Sequence, residues 1–314
     1  MAPIRVFAPA TVSNVGPGFD VLGFALHRPG DTVAAELRDE PGVELVDVTG
    51  DEGRLPRSAA ANSAGVAAAA VLERVGSRMG QPGLRLWLHK GLPLSSGLGS
   101  SGASAAAGAV AANLLLGAPL LPHEVVECAM EGERAASGSA HADNVAPSVV
   151  GGFVLIRSYD PPDLVSLPVP DGLFVAVVHP HCEVSTAAAR ALLQGRHFPL
   201  ADIVANAGNL AALVAAIHQQ DLALLGRSIA DRLVEPVRAT LVPGFGEVKR
   251  AALDAGALGC SISGSGPSVF AFAEGSDVAA RVARAMRAAF RDAARLGSDA
   301  WTGTISREGA RVVS

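Results

Sequence analysis

The sequence predicts an α+β protein of two lobes, and three observations carry that expectation. Strand-like segments with period-two alternation or β-branched runs are mixed along the chain with helix-period segments. A proline-rich stretch, PPDLVSLPVPDG over residues 161–172, reads as a turn or lobe junction, which sets an N-terminal lobe over 1–165 and a C-terminal lobe over 166–314. With 314 residues, 49% hydrophobic and only 18% charged, the chain is long enough to fill the cores of both lobes.

Strands are expected at IRVFAP (4–9), TVAAEL (32–37) and VELVDV (43–48), separated by Gly, Pro and Asp. The helix SAAANSAGVAAAAVLERVG follows, then the alternating strand LRLWLHK (84–90), a Gly/Ser loop and an Ala-rich helix over about 100–116. Pro122 stands where proline favours a first helical turn, opening a helix through HEVVECAMEGERAA that stops at SGS. GGFVLIRS (151–158) and LFVAVVHP (173–180) read as buried strands. Beyond them come helix-period stretches at 186–194, 201–218, 221–233 and 245–255, the strands LGCSIS and SVFAFA, a helix from Asp277 to about Leu296, and a strand near TGTISREG.

Composition excludes several classes. Aromatic residues make up 4% and the formal charge is −5, with no Lys/Arg run, so a nucleic-acid partner is not expected. Cys128, Cys182 and Cys260 are odd in number and far apart, which points away from a disulfide framework or zinc site and toward a reducing cytosol. The start, MAPIRVFAPATV, lacks the pattern of a signal peptide, and the apolar run ASAAAGAVAANLLLG is too short to span a bilayer. A cytoplasmic protein without a membrane partner is the expectation. His179, His181 and Cys182 alternate in HPHC, but no partner cluster accompanies them, so they read as strand-end residues.

The most informative segment is PLSSGLGSSGAS, residues 93–104. Gly97, Gly99 and Gly102 permit backbone turns that gather amides into an anion cradle, and the loop runs into the N-terminus of a helix, where free N–H groups and the helix dipole favour negative charge. Hydroxyls of Ser95, Ser96, Ser100 and Ser101 add donors. Pro93, Leu94, Leu98 and Ala103 complete the expected ATP-binding stretch. No lysine follows the glycines, so this is not the GxxxxGK[ST] loop. Charge neutralisation falls to Mg2+, with an acidic residue on a neighbouring helix as its second protein ligand.

This loop resembles the phosphate-binding motif of the GHMP kinases, the group acting on galactose, homoserine, mevalonate and phosphomevalonate. Two further motifs stand in the order of that group, APATVSNVGPGFDVLGFAL (8–26) and SISGSGPSVFAF (261–272), and the resemblance covers the whole chain. Within the group, SNVGPGFDVLG, HADNVAPSVVGG (141–152), VSTAAAR (184–190) and RLVEPVR (232–238) together are similar to the branch that acts on homoserine. The resemblance implies an N-terminal lobe like the second domain of ribosomal protein S5, a ferredoxin-like C-terminal lobe, and ATP between them. The implied reaction is transfer of the γ-phosphoryl group to the side-chain hydroxyl of L-homoserine, in threonine biosynthesis, by a homodimer.

It also implies roles for single residues. Arg190 and Arg238 would bind the substrate carboxylate, to which a guanidinium fork is matched. Thr186 lies one helical turn before Arg190. Asn14 and Asp20 would contact homoserine, Asp20 at the attacking hydroxyl, and His141 is a further substrate contact. Glu133 and Ser101 would hold Mg2+, and Asn62 falls where the group contacts adenine. Asn144 occupies the place where mevalonate kinase and galactokinase carry an Asp regarded as the base. An amide cannot take that proton. Asp20 is therefore expected to orient the hydroxyl while its proton passes to the transferring phosphate.

Two loop positions depart from the commoner form PLGSGLGSSAAS: Ser95 replaces a glycine and Gly102 an alanine. Neither removes a phosphate donor. The rival readings are a GHMP kinase of another acceptor, such as mevalonate or shikimate, and a catalytically silent ligand-binding member.

Overall fold

A computed structural model of the protein describes residues 3–76 and 82–314. The first sheet has seven strands: β1 (Ile4–Ser13), β2 (Leu22–Arg38), β3 (Gly42–Thr49), β4 (Gly83–His89), β5 (Phe153–Tyr159), β6 (Pro162–Leu167) and, from the end of the chain, β11 (Arg311–Val312). Its order is β11-β1-β2-β4-β3, and β5 joins the first half of β2 and carries β6. Only β3 and β4 run parallel. The helices packing on or beside this sheet are α1 (Ser63–Gly76), α2 (Ser100–Leu115), α3 (Pro122–Ser137) and α4 (Ala142–Val150).

The second sheet has four antiparallel strands in the order β10-β7-β9-β8, formed by β7 (Leu173–Pro180), β8 (Gly259–Ile262), β9 (Val269–Glu274) and β10 (Ser298–Thr304). Between β7 and β8 lie α5 (Thr186–Ala191), α6 (Leu200–Gln219), α7 (Leu222–Ser228), α8 (Glu235–Arg238) and α9 (Phe245–Asp254). α10 (Ser276–Ala289) connects β9 to β10. With α9 and α10 on one face, this is the ferredoxin-like lobe expected.

The two sheets share one core. Phe24 of β2 and Phe153 of β5 meet Phe272 of β9 at centroid separations of 5.5 and 6.2 Å, with Phe270 alongside, so few aromatic residues suffice because they collect at the joint. The other face of the second sheet packs on α9 and α10 through Val178, Val269, Met286 and Phe290. In the first lobe, alanine does the packing: Ala103, Ala105, Ala106, Ala107, Ala109, Ala111 and Ala112 of α2 are all fully buried. A Cβ on Gly108 would stand 2.3 Å from the Ala64 carbonyl oxygen of α1, which shows how closely those two helices pass.

Several elements differ from the sequence expectation. PPDLVSLPVPDG is not simply a turn: Pro162–Leu167 forms β6, an edge strand whose prolines lie at its ends, where no ladder donor is needed. β2 begins ten residues before the expected strand, through Gly23, Pro29 and Gly30, which read as breakers. Gly23 has a packing reason, since a Cβ there would lie 1.8 Å from the Asp143 carbonyl oxygen. The HADN segment opens α4, a helix that contains Pro147 and was not expected. The helix expected over 221–233 ends at Ser228, and that expected to Leu296 is α-helical only to Ala289 before a wider π turn over Phe290–Ala294. The last strand, β11, returns to β1.

Candidate active site

The loop between β4 and α2 is built on left-handed residues: Ser95, Gly97 and Gly99 have φ of 52°, 74° and 67°. Gly99 caps α2, and no side chain caps that N-terminus. The N–H groups of the first turn of α2 therefore remain available to an anion. Gly97 is pressed against a second glycine turn, SGSG at residues 263–266, where a Cβ would come within 2.5 Å of the Ser263 oxygen and 2.6 Å of the Gly266 oxygen. Ser263 Oγ donates to Gly97 O at 2.6 Å and Ser268 N to Ser96 O at 3.2 Å. Through these backbone contacts the C-terminal lobe fixes the loop.

The loop forms one wall of a cavity of ≈ 520 Å3 between the lobes. All of the expected side chains Asn14, Asp20, Asn62, Ser95, Ser96, Ser100, Ser101, Glu133, His141, Asn144, Thr186, Arg190 and Arg238 line it, as do Leu94, Gly97 and Gly99. Pro93, Leu98, Gly102 and Ala103 do not; Leu98 and Ala103 are core residues. Asn62 is buried rather than exposed: its Oδ1 accepts from Ala64 N and its Nδ2 donates to Pro56 O, both at 3.1 Å, so it shapes the entry to α1.

Thr11 and Asn144 stand against the loop: a Cβ on Gly99 would lie 2.2 Å from Thr11 Oγ1 and 2.8 Å from Asn144 Oδ1. Thr11 Oγ1 donates to Asn144 Oδ1 at 3.1 Å, which turns the Asn144 NH2 group outward as a donor. On α3, Glu133 is buried; His141 Nδ1 donates to its Oε1 at 2.9 Å. Burial disfavours the His141 imidazolium, yet Glu133 and then Asp143 outweigh it and raise the imidazole above its ordinary value. Glu133 Oε2, the Ser96 and Ser100 hydroxyls and His141 Nε2 have no hydrogen-bond partner among the described residues. Hard, anionic oxygen beside hydroxyls and a phosphate cradle fits Mg2+.

The opposite end is charged. Asn14 and Asp20 both have φ of 58°, and Asn14 Oδ1 accepts from Asp20 N at 2.8 Å, so the turn orders itself. Arg190 NH1 and NH2 hold both Asp20 oxygens at 3.0–3.1 Å. Arg238 is buried, donates to Gly264 O at 3.0 Å, and stacks 4.9 Å above the ring of Phe19, with Arg190 5.7 Å from the same ring. Thr186 Oγ1 lies 3.4 Å from Ser265 Oγ.

Sequence reading passed over Asp143, although it stands beside Asn144. It is 1% exposed, Asn14 N donates to its Oδ2 at 3.3 Å, and its Oδ1 has no partner among the described residues. Burial, and then the Asp20 carboxylate, push its pKa up to about 7. Its signal was the HADN motif itself, which offered two carboxylate-sized side chains where only one was weighed. Phe19, the platform under the arginines, left no signal beyond its place in the GPGFD turn. His179 and His181 are committed to Ser268 and Asp299, at 3.1 Å each.

A loop whose amides and helix N-terminus suit an anion, a cavity between lobes and a buried oxygen set suited to Mg2+ are the features a small-molecule kinase requires. Two family models match the chain, the GHMP kinases N terminal domain over residues 60–152 and the GHMP kinases C terminal over 213–292. The chain belongs to the GHMP kinase family. It is 49% identical over 321 aligned positions to the homoserine kinase of Chlorobium phaeobacteroides (strain BS1), covering 100% of both chains. The crystal structure of homoserine kinase from Cytophaga hutchinsonii superposes with a TM-score of 0.94 at 49% identity, covering 100% of this chain and 98% of that one. The L. major mevalonate kinase in complex with R-mevalonate shares the fold, with a TM-score of 0.72 at 18% identity over 95% of each chain.

Proposed function

We propose that this protein transfers the γ-phosphoryl group of ATP to the side-chain hydroxyl of L-homoserine, releasing ADP and O-phospho-L-homoserine. The observation that carries this reading is the set of unpartnered buried polar atoms along one cavity: Ser96 and Ser100 hydroxyls, Glu133 Oε2 and His141 Nε2 at one end, Asp143 Oδ1, Arg190 Nε and Arg238 Nε at the other. Buried polar atoms are normally satisfied, so such a group calls for a polar ligand. Whole-length likeness to homoserine kinases selects which one.

The head of an amino acid carries an ammonium and a carboxylate. It can replace the Asp20–Arg190 pair with two pairs of the same kind, the ammonium between Asp20 and Asp143 and the carboxylate between Arg190 and Arg238. Asn14, Thr186 and His141 complete that pocket. The side-chain hydroxyl then extends toward Asn144, whose NH2 group fixes its oxygen. This revises the role expected of Asp20, which holds the head of the substrate in place of the hydroxyl. In the transfer a bond forms between the hydroxyl oxygen and the γ-phosphorus, the bond from that phosphorus to the β,γ-bridging oxygen breaks, and the hydroxyl proton passes to a phosphoryl oxygen. No side chain serves as full base, which suits a reaction governed by positioning and charge stabilisation.

Loop amides and the first turn of α2 hold the phosphates, and Asn62 borders the adenine. Glu133 and Ser101 are the residues that would hold Mg2+, which supplies charge neutralisation for the phosphoryl oxygens when bound. We also infer a homodimer. The support is α6, where Leu200, Ile203 and Val204 are 75%, 45% and 63% exposed on a helix with one acidic and no basic residue before His218. Static light scattering at micromolar concentration tests it, and a monomer mass would refute it.

The activity is tested by coupled ADP release with homoserine, serine, threonine, mevalonate, shikimate and galactose as acceptors. Mg2+-dependent turnover of homoserine above the others is the expected result. Phosphorylation of another acceptor without homoserine turnover would overturn the substrate, and no turnover of any would leave a silent binder.

A further inference from the structure

A phosphate cradle works only if its amides are held in place before the ligand arrives, because ordering a flexible loop at binding costs affinity. The seven residues from Pro93 to Gly99 contain two glycines, and their middle is held from outside, where Ser96 O, Gly97 O and Leu98 O accept from Ser268 N, Ser263 Oγ and Thr11 N. Those contacts leave its two ends to be fixed separately. The entry is Gly91-Leu92, just past β4, and the exit is Ser100 to Ser104, the first turn of α2.

Both ends meet on one buried carboxylate. Asp31, on β2 next to β4, is fully buried and Lys90 is 4% exposed. Asp31 Oδ1 accepts from Gly91 N at 3.0 Å and Leu92 N at 3.2 Å. Its Oδ2 accepts from Ser104 Oγ at 2.7 Å and from Lys90 Nζ. Lys90 Nζ donates in addition to Ser100 O at 2.8 Å and Ser104 Oγ at 2.9 Å. The ammonium's three protons and both carboxylate oxygens are thus committed within the protein, and none of these atoms is among the unpartnered ones. A closed network of this kind is not a ligand site.

A buried ion pair is a weak source of stability, since desolvation offsets most of its attraction. Its geometry is what it contributes here. We propose that Asp31, Lys90 and Ser104 are positioning residues that clamp the entry and exit of the phosphate loop to each other, so that the loop without a lysine of its own is presented rigidly to ATP by a lysine beneath it. The clamp touches only the nucleotide end. The pocket of Asp20, Asp143, Arg190 and Arg238 is held by other contacts. The inference rests on the reading of the loop as an ATP site.

The test compares ADP affinity by calorimetry, the KM for ATP and the KM for homoserine in three proteins: wild type, Asp31→Asn/Lys90→Met, and Ser104→Ala. The double variant removes both charges together and so strands neither. We expect its ADP affinity to fall tenfold or more and that of Ser104→Ala about threefold, each with a matching rise in the KM for ATP and a homoserine KM within twofold of wild type. Wild-type ADP affinity in either folded variant overturns the clamp, as does an equal loss toward both substrates. Should the double variant not fold, Ser104→Ala, which keeps the ion pair, decides by the same criterion. Absence of ADP binding by the wild type would overturn the reading of the loop and the clamp together, whereas wild-type binding with unchanged variants overturns the clamp alone.

Discussion

Glu133 and His141 are joined through a single carboxylate oxygen, Nδ1 to Oε1 at 2.9 Å, and the second oxygen, Oε2, is buried without a partner among the described residues. The imidazole thereby fixes the rotation of the carboxylate and leaves the other oxygen free, the kind of outer contact that would orient a metal ligand. Glu133→Gln keeps the shape and removes the charge. We expect kcat to fall at least about 100-fold, the loss typical of one electrostatic group in a preorganised site, with half-saturation by Mg2+ moving to higher concentration. A magnesium titration of ADP release measures both, and an unchanged Mg2+ requirement would remove Glu133 from the metal site.

Asp143 supplies a pH dependence whose sign is fixed by its environment. Its pKa stands at about 7, above its ordinary value of 3.8, so the folded state prefers the protonated acid. The stability this contributes is fully present below pH 3.8 and is lost as pH rises through about 7. An ammonium ligand prefers the ionised form, so substrate binding should strengthen over the same rise. Asp20, Arg54, Lys90, Glu133, His141, Arg190 and Arg238 are the other charged or titratable groups lining this cavity. The homoserine KM is expected to fall as pH is raised from 6 to 8, and Asp143→Asn to raise the KM about tenfold or more, the equivalent of about 1.4 kcal/mol, and to flatten its pH profile. A profile that survives the substitution would assign the ionisation to His141.

Arg238 has less room to adapt than Arg190. It is 3% exposed, lies over Phe19 and is tied to Gly264 O, so its fork is fixed in direction. Arg238→Lys retains charge but loses the planar stack and one arm of the fork. Steady-state kinetics should show a homoserine KM raised about tenfold or more, with the KM for ATP within twofold. A rise in the ATP value instead would place Arg238 on the phosphates.

How much of this was legible in the sequence divides along a physical line. Motifs that act through backbone shape were readable, because glycine at 97 and 99 and Asx residues at 14 and 20 carry their conformations with them, and all four adopt the left-handed region. The second glycine turn was readable for the same reason. What could not be read is anything that depends on which side chains meet across the fold. Asp20 and Arg190 are 170 residues apart and their pairing follows from lobe packing. The Asp31–Lys90–Ser104 network joins three elements, with Asp31 59 and 73 positions from its two partners. β6 and α4 were missed because their prolines sit where tertiary contacts tolerate them.

The two departures of the loop from its commoner form make opposite local demands, and both are measurable as stability. Ser95 occupies the left-handed region at φ 52°, where a Cβ costs about 1–2 kcal/mol. Glycine there relieves that strain but loosens the unfolded chain by roughly 0.5–1 kcal/mol. Gly102 has ordinary helical geometry within α2, and a Cβ on it would meet Asn144 Cβ at 3.4 Å and Val145 Cγ2 at 3.5 Å, a normal contact distance. Gly102→Ala should therefore gain about 0.5–1 kcal/mol of helix stability, raise Tm by a few degrees, and leave kcat within twofold. Ser95→Gly should gain a smaller amount, about 0.5 kcal/mol. Gly97→Ala is the contrasting case: it combines φ 74° with backbone oxygens at 2.5 and 2.6 Å from the new methyl, so the loop must leave the Ser263–Gly266 turn to accept it. Thermal unfolding and ADP release of the three variants distinguish the positions. A Gly97→Ala protein with wild-type Tm and turnover would show that the contact between the two glycine turns does not set the geometry of the phosphate loop.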